Sequence, residues 1–339
     1  MAGSAEPLRP AGEGALDGAT ARRLLGLMWR IRAFEAHLSS LRGSGRLSGP
    51  APCSTGHEAV AAGVCGQLGP DEPVFGSDRP LGQALAKGVE PGPLLAELLG
   101  RADGCCKGLG GAGHLVDLAC GFLGVNGPTA DQVPVAIGMA LADRLAGRVR
   151  PVVTIFGVAA ARSGLFAESI GLASCWRLPV VLVCENDAFA EPLPEDRPGR
   201  SVRAAELVEP YELPAATVDG ADVGEVHAAF GVALRAARDG KGPLLLECLT
   251  RRFDPGPSEL RSGGGAPVGR AAGGDRSAGD PLARLLRRAT SAGWFEASDA
   301  EDARAEAEAE VAAALAFAEA SPHATAARIP RRLGRAGPS

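Results

Sequence analysis

Two short runs rich in β-branched residues, Pro151-Val-Val-Thr-Ile-Phe156 and Pro179-Val-Val-Leu-Val-Cys184, bracket a helical stretch from Ser163 to Leu178. Strands separated by a crossover helix pair in parallel, and strands that read as unbroken apolar runs are buried on both faces. The spacing therefore predicts a βαβ unit inside a parallel sheet covered by helices. A third run, Pro243-Leu-Leu-Leu-Glu-Cys-Leu249, follows the helical segment Val223 to Arg238 and continues the alternation. The fold class expected is α/β, a doubly wound, largely parallel sheet with helices on both faces.

Around this nucleus the chain organises itself by composition. Residues 1–18 are rich in Gly, Ala and Pro and read as a disordered tail. Leu24, Leu27, Met28 and Ile31 then fall at helical spacing and predict a helix from Ala21 to Leu41. From Phe253 to Gly279 the sequence turns to Gly, Pro, Ser and Arg, too little apolar area to offset its ordering entropy, which predicts a mobile loop. The alanine-rich, charged stretch Asp299 to Ala320 returns as a helix, and 323–339 reads as a C-terminal tail. A single domain over 19–322 is expected, with no internal repeat.

Charge and cysteine usage exclude whole classes of partner. The formal net charge is −5 and the basic residues are scattered, the one short cluster, Arg331-Arg332 to Arg335, being terminal, so no nucleic-acid footprint is present. The first twenty residues lack a basic region followed by an apolar core, and no later stretch reaches the ~20 apolar residues of a membrane span. The expectation is a cytoplasmic protein with neither nucleic acid nor membrane as partner. Eight cysteines contain no CxxC pair, which points to buried free thiols rather than to a zinc site or a disulfide framework.

In open α/β sheets ligands bind beyond the carboxyl ends of the strands, which directs attention to the turns Gly157 to Gly164 and Glu185 to Pro192. The first places small residues between strand and helix, where backbone N–H groups can approach a phosphate. The second opens Glu185-Asn186-Asp187, hard oxygen ligands of the kind Mg²⁺ takes. Gly108-Leu-Gly110-Gly-Ala-Gly113 satisfies G-x-G-x-x-G, but no strand precedes it, so dinucleotide binding is rejected. What remains there is a glycine-rich loop ending in His114, one of five histidines and the candidate catalytic imidazole.

Read together, these segments resemble the α subunit of the pyruvate, branched-chain and acetoin dehydrogenase E1 family. The resemblance runs in order through Met28-Trp-Arg-Ile-Arg-Ala-Phe-Glu35, Gly56-His-Glu-Ala-Val60, Gly104-Cys-Cys-Lys-Gly-Leu-Gly-Gly-Ala-Gly-His114, Gly124-Val-Asn-Gly127, Gln132-Val-Pro134, Ala173-Ser-Cys-Trp-Arg-Leu-Pro179, Cys184-Glu-Asn186, Val218-Asp-Gly220 and Asp280-Pro281. It implies thiamine diphosphate and Mg²⁺ as cofactors, and a β-type E1 subunit as obligate partner in an α2β2 assembly. The reaction implied is decarboxylation of a 2-oxoacid such as pyruvate, or transfer of a ketose-derived acyl unit, to a lipoyl domain or acyl-carrier protein. The alternative is a non-catalytic α-like subunit that scaffolds or regulates its β-type partner.

Carried over position by position, the resemblance assigns cofactor contacts to Arg79, Gly127, Thr129, Gly157, Ala159, Ala160, Arg162, Asp187 and Phe189. The metal ligands it implies are Asp187 and the backbone carbonyl of Phe189. Several positions depart from the family pattern. The aspartate of its GDG metal motif is Val158, whose side chain cannot coordinate a hard cation. Asp187 stands where the family has asparagine, and Arg162 introduces a guanidinium able to meet a diphosphate directly. The family's Tyr-Arg pair is Asp78-Arg79, its GIVGA stretch reads Gly127-Pro-Thr-Ala-Asp131, and its two histidines fall at Pro52 and near Gly256.

Overall fold

Along the central strands successive side chains alternate between two buried faces. In the computed structural model Val153, Ile155, Val181, Val183, Leu244 and Leu246 enter one core, while Val152, Phe156, Val180, Leu182 and Leu245 enter the other. The structure describes residues 16–47, 53–124, 130–187, 203–251, 253 and 279–325. Burial on both sides is what the unbroken apolar runs require, and all strand pairs are parallel. The strands are β1 (Val74–Phe75), β2 (Val152–Gly157), β3 (Val180–Asn186), β4 (Ala215–Asp219) and β5 (Leu244–Leu249), in the order β1-β2-β3-β5-β4. The expected α/β class and parallel sheet are both present.

The helices of the first half are α1 (Gly18–Gly43), α2 (Glu58–Cys65), α3 (Pro80–Lys87), α4 (Pro91–Leu98) and α5 (Gln132–Leu145). Then come α6 (Val158–Ala161), α7 (Gly164–Cys175), α8 (Ala204–Val208), α9 (Val223–Arg238), α10 (Pro281–Ser291) and α11 (Ala297–Ala320). One core gathers α1 to α4, α9 and α11, and the other α5 to α8, so both faces of the sheet are covered. Local signals set the boundaries. Asp17, Ser163, Asp222 and Asp280 cap α1, α7, α9 and α10 through side-chain oxygens that accept from first-turn amides, and Glu296 with Asp299 forms a capping box on α11. Leu16 is buried, and Ala324 donates its amide to the Gly100 carbonyl, so chain on both sides of 19–322 is packed. No described helix is long and apolar enough to cross a membrane.

The order of the strands places a crevice. After β3 the chain goes on to α8, on the face carrying α5 and α7, whereas after β5 it goes on to α10, which packs with α1 and α2. Departure to opposite sides of neighbouring strands opens the carboxyl edge between them to a ligand.

Candidate functional site

Four chain segments meet at that edge. Asp187 directly follows β3 and Thr250 directly follows β5, and the Thr250 amide donates to the Asn186 carbonyl at 3.0 Å, extending the strand pairing to the rim. Arg79 occupies the N-cap position of α3, just beyond β1, and His57 that of α2. The backbone brings all of their side chains to Asp187. Its Oδ1 lies 2.9 Å from His57 Nε2 and accepts from Thr250 Oγ1 at 2.5 Å, while Oδ2 accepts from Arg79 Nη1 at 3.2 Å.

Behind this cluster stands a second carboxylate. Glu185, in β3 and in register with Gly157 of β2, accepts from Gln83 Nε2 at 3.2 and 3.3 Å and lies 3.4 Å from His57 Nδ1. That last contact is an ion pair without hydrogen-bond geometry, which leaves Nδ1 buried and without a hydrogen-bond acceptor. Burial alone would push the His57 imidazole down, but Asp187 and Glu185 outweigh it and hold the ring up to about 10, so it is an imidazolium at neutral pH. Gln83 Oε1 accepts from the Ser77 amide at 2.8 Å and fixes the turn that carries Arg79. The set is charge-balanced: two carboxylates, Glu185 and Asp187, against one imidazolium and one guanidinium.

Of the residues expected at the site, Arg79 and Asp187 are in direct contact. Gly157 ends β2 with nothing within 4 Å of where a Cβ would stand, so this backbone borders open space. Ala159 and Arg162 are exposed, Ala160 is buried, and Val158 packs against the α5–α8 core. Gly127, Thr129 and Phe189 lie outside the described residues, as do Pro52 and nearly all of the expected loop from Phe253 to Gly279. His114 is exposed at the end of a short 3₁₀ turn, Ala112–His114, and its carbonyl accepts from Cys106 Sγ. His57, Thr250 and Gln83 were not singled out by sequence reasoning. Thr250 had a signal, since it follows directly on a predicted strand's carboxyl end. His57 had a weaker one, its place in the Gly56-His-Glu-Ala-Val60 segment.

The glycine-rich loop serves a different purpose. It follows α4 rather than a strand, in agreement with the rejection of a dinucleotide fingerprint, and it wraps the carboxylate of Glu97. Oε2 accepts from the amides of Cys106 and Gly108 at 2.8 and 2.7 Å, and Oε1 from those of Gly110 and Gly111 at 2.7 and 3.0 Å. Gly108 and Gly111 have φ of 73° and 58°, and a Cβ on Gly108 would stand 2.4 Å from the Arg101 carbonyl oxygen. All eight cysteines are free. Cys65, Cys184 and Cys248 are buried as expected, Cys53, Cys105, Cys106 and Cys120 are half-buried, and Cys175 is exposed.

The family model described as "Dehydrogenase E1 component" matches residues 27–327. The subunit alpha of acetoin:2,6-dichlorophenolindophenol oxidoreductase from Bacillus subtilis (strain 168) is 38% identical over 225 residues, 66% of this chain and 68% of that protein. Its counterpart from Cupriavidus necator is 36% identical over 238 residues, 70% of this chain and 72% of that protein. The pyruvate dehydrogenase E1 component subunit alpha of Rhizobium meliloti (strain 1021) is 31% identical over 299 residues, covering 87% of this chain and 84% of that protein.

Proposed function

The chain belongs to the dehydrogenase E1 component family, and on that footing we propose that it is the α-type subunit of a two-component, thiamine-diphosphate-dependent oxidoreductase. Its reaction is the decarboxylation of a 2-oxoacid such as pyruvate, or the transfer of a ketose-derived acyl unit, with a lipoyl domain or acyl-carrier protein as acceptor. The observation that carries the reading is the convergence of Arg79, His57 and Asp187 on the carboxyl edge of the sheet, beside the open backbone at Gly157. Small residues and a guanidinium at that edge suit a diphosphate.

When bound, thiamine diphosphate would supply the carbon nucleophile and the electron sink that cleavage beside a carbonyl needs. This chain's part is to hold and orient the cofactor. Arg79 directs a guanidinium at the diphosphate, the amides of Gly157, Ala159 and Ala160 border it, and Arg162 stands on the exposed side. Gly127 and Thr129 are assigned to the ring portion. His114 is the imidazole offered for proton transfer. Mg²⁺ fits these residues poorly: the Val158 side chain has no donor atom, and both oxygens of Asp187 are engaged by protein groups.

A β-type partner in an α2β2 assembly is part of the proposal. Its support is the apolar surface of α5 and α7, two helices in mutual contact that leave Val135, Leu145, Leu165 and Leu172 exposed. The test is co-expression with a β-type E1 chain, followed by dye reduction with pyruvate, with acetoin and with a ketose donor. Turnover that needs added thiamine diphosphate and falls at least tenfold in Arg79→Gln is expected. No cofactor binding and no turnover with any donor would overturn the reading.

A further inference from the structure

We propose that the anion site at the carboxyl edge of the sheet works without a divalent metal, with Arg79 as its resident cation and Asp187, held between Arg79, His57 and Thr250, as the group that locks Arg79 in place. The inference rests on the reading above that this chain binds thiamine diphosphate.

The argument begins with the donor atoms. A small divalent cation such as Mg²⁺ takes six oxygens in near-octahedral array at about 2.0–2.1 Å. Asp187 offers two oxygens, and each is already engaged, Oδ1 by His57 and Thr250 and Oδ2 by Arg79. The remaining carboxylate, Glu185, is bound by Gln83 and faces the other nitrogen of His57. Val158, on the facing turn after β2, carries no oxygen on its side chain. Among the described residues the group of three side chains close enough to share a metal lies elsewhere, at Glu97, Cys105 and Cys106.

Charge leads to the same answer. A dication on Asp187 would sit beside the Arg79 guanidinium, 3.2 Å from Oδ2, in a partly dehydrated cleft. An anion meets the opposite situation. Among the described residues Asp187 is the sole partner of the Arg79 guanidinium and engages one of its nitrogens, leaving its other donors for an oxyanion fork. Asp187 thus acts on the ligand only through the Arg79 guanidinium it positions.

The experiment is calorimetric titration of the full chain, assembled with a β-type E1 partner, with thiamine diphosphate and with inorganic pyrophosphate, in excess EDTA and in excess MgCl₂. The expected result is a Kd for each ligand that agrees within about threefold between the two buffers. Arg79→Gln should weaken both ligands by at least about tenfold in both buffers, and His57→Gln should do so to a lesser degree. Mn²⁺ titration of the unliganded assembly, followed by electron paramagnetic resonance, is a readout independent of the cofactor. It should show no bound ion that disappears in Asp187→Asn. Thiamine diphosphate binding that is tenfold or more tighter with Mg²⁺, or a Mn²⁺ ion lost on Asp187→Asn, would overturn the inference while leaving the cofactor reading intact. No thiamine diphosphate binding in either buffer would overturn the cofactor reading, and the inference with it.

Discussion

Glu97→Gln is the substitution whose effect the structure fixes most sharply. The side chain is 1% exposed, and its two oxygens accept four backbone amides, two apiece, from the loop between Cys106 and Gly111. A glutamine has nearly the same shape but one oxygen fewer. Whichever way the amide is turned, its NH₂ faces two N–H donors, so two hydrogen bonds to a charged acceptor are lost and two donors are left facing a donor. At about 1.5–3 kcal/mol for each such bond, the cost is about 3–6 kcal/mol. Most of it should appear as local opening, because the loop's own backbone geometry depends on those four bonds. Hydrogen exchange read by mass spectrometry is the assay. Protection of peptides covering 104–111 should fall by about a hundredfold or more, since each 1.4 kcal/mol is tenfold. A loop whose exchange is unchanged in Glu97→Gln, or a stability loss below about 1 kcal/mol, would refute the claim that this carboxylate holds the loop.

Glu35 is fully enclosed, and burial pushes its carboxyl up to about 7 from 4.5, with the Ser54 amide opposing. A raised carboxyl contributes stability that is fully present below pH 4.5 and is lost as pH rises through about 7, so Glu35→Gln should gain on the wild type by up to about 3 kcal/mol across that window. Urea denaturation at a series of pH values reads this directly, and a pH-independent difference would refute it. The Cys105 thiol donates to Cys106 and lowers its pKa, whereas burial raises those of Cys184 and Cys248. Iodoacetamide at neutral pH should therefore label Cys106 well ahead of those two, and Cys105→Ala should slow it, as read by peptide mass mapping. Glu247, buried within β5, accepts from Asn186 Nδ2, the Ala204 amide and Thr217 Oγ1, so Glu247→Ala should cost about 3 kcal/mol or more, measured by thermal or urea unfolding.

The parts of the fold that sequence makes legible are those where one physical signal dominates. β2, β3 and β5 are long enough, and apolar enough on both faces, to announce themselves. The helices α1, α9 and α11 show their periodicity, and α9 runs from Val223 to Arg238 as expected. β1, only Val74–Phe75, is too short to carry a pattern, and β4 lies at the sheet edge with every residue half-buried, which blurs it. At the site, Arg79 and Asp187 emerge from the family resemblance. Their partnership does not, because it depends on two segments 108 residues apart in the chain meeting across the sheet edge. The same holds for His57, which lies 130 residues from Asp187.

Three carboxylates, Glu97, Glu247 and Asp187, are separated in the structure by the company they keep. Glu97 is surrounded by backbone amides from one loop, and Glu247 by amides and neutral side chains from adjoining elements. Backbone donors cannot move away from their acceptor without unmaking the chain's path, so these two groups are architectural: they set where loops and strands lie. Asp187 instead gathers an imidazole, a guanidinium and a hydroxyl from three separate segments, at the edge where parallel strands end, and it is half-buried rather than sealed. A guanidinium held through one nitrogen can take a second anion without giving up the first, whereas backbone amides wrapped into a turn are committed to their acceptor. A carboxylate that holds a guanidinium by one nitrogen at an open sheet edge therefore leaves that guanidinium donors to offer a ligand's charge. That property, rather than the presence of an acid as such, sets the Asp187 cluster apart as the proposed site.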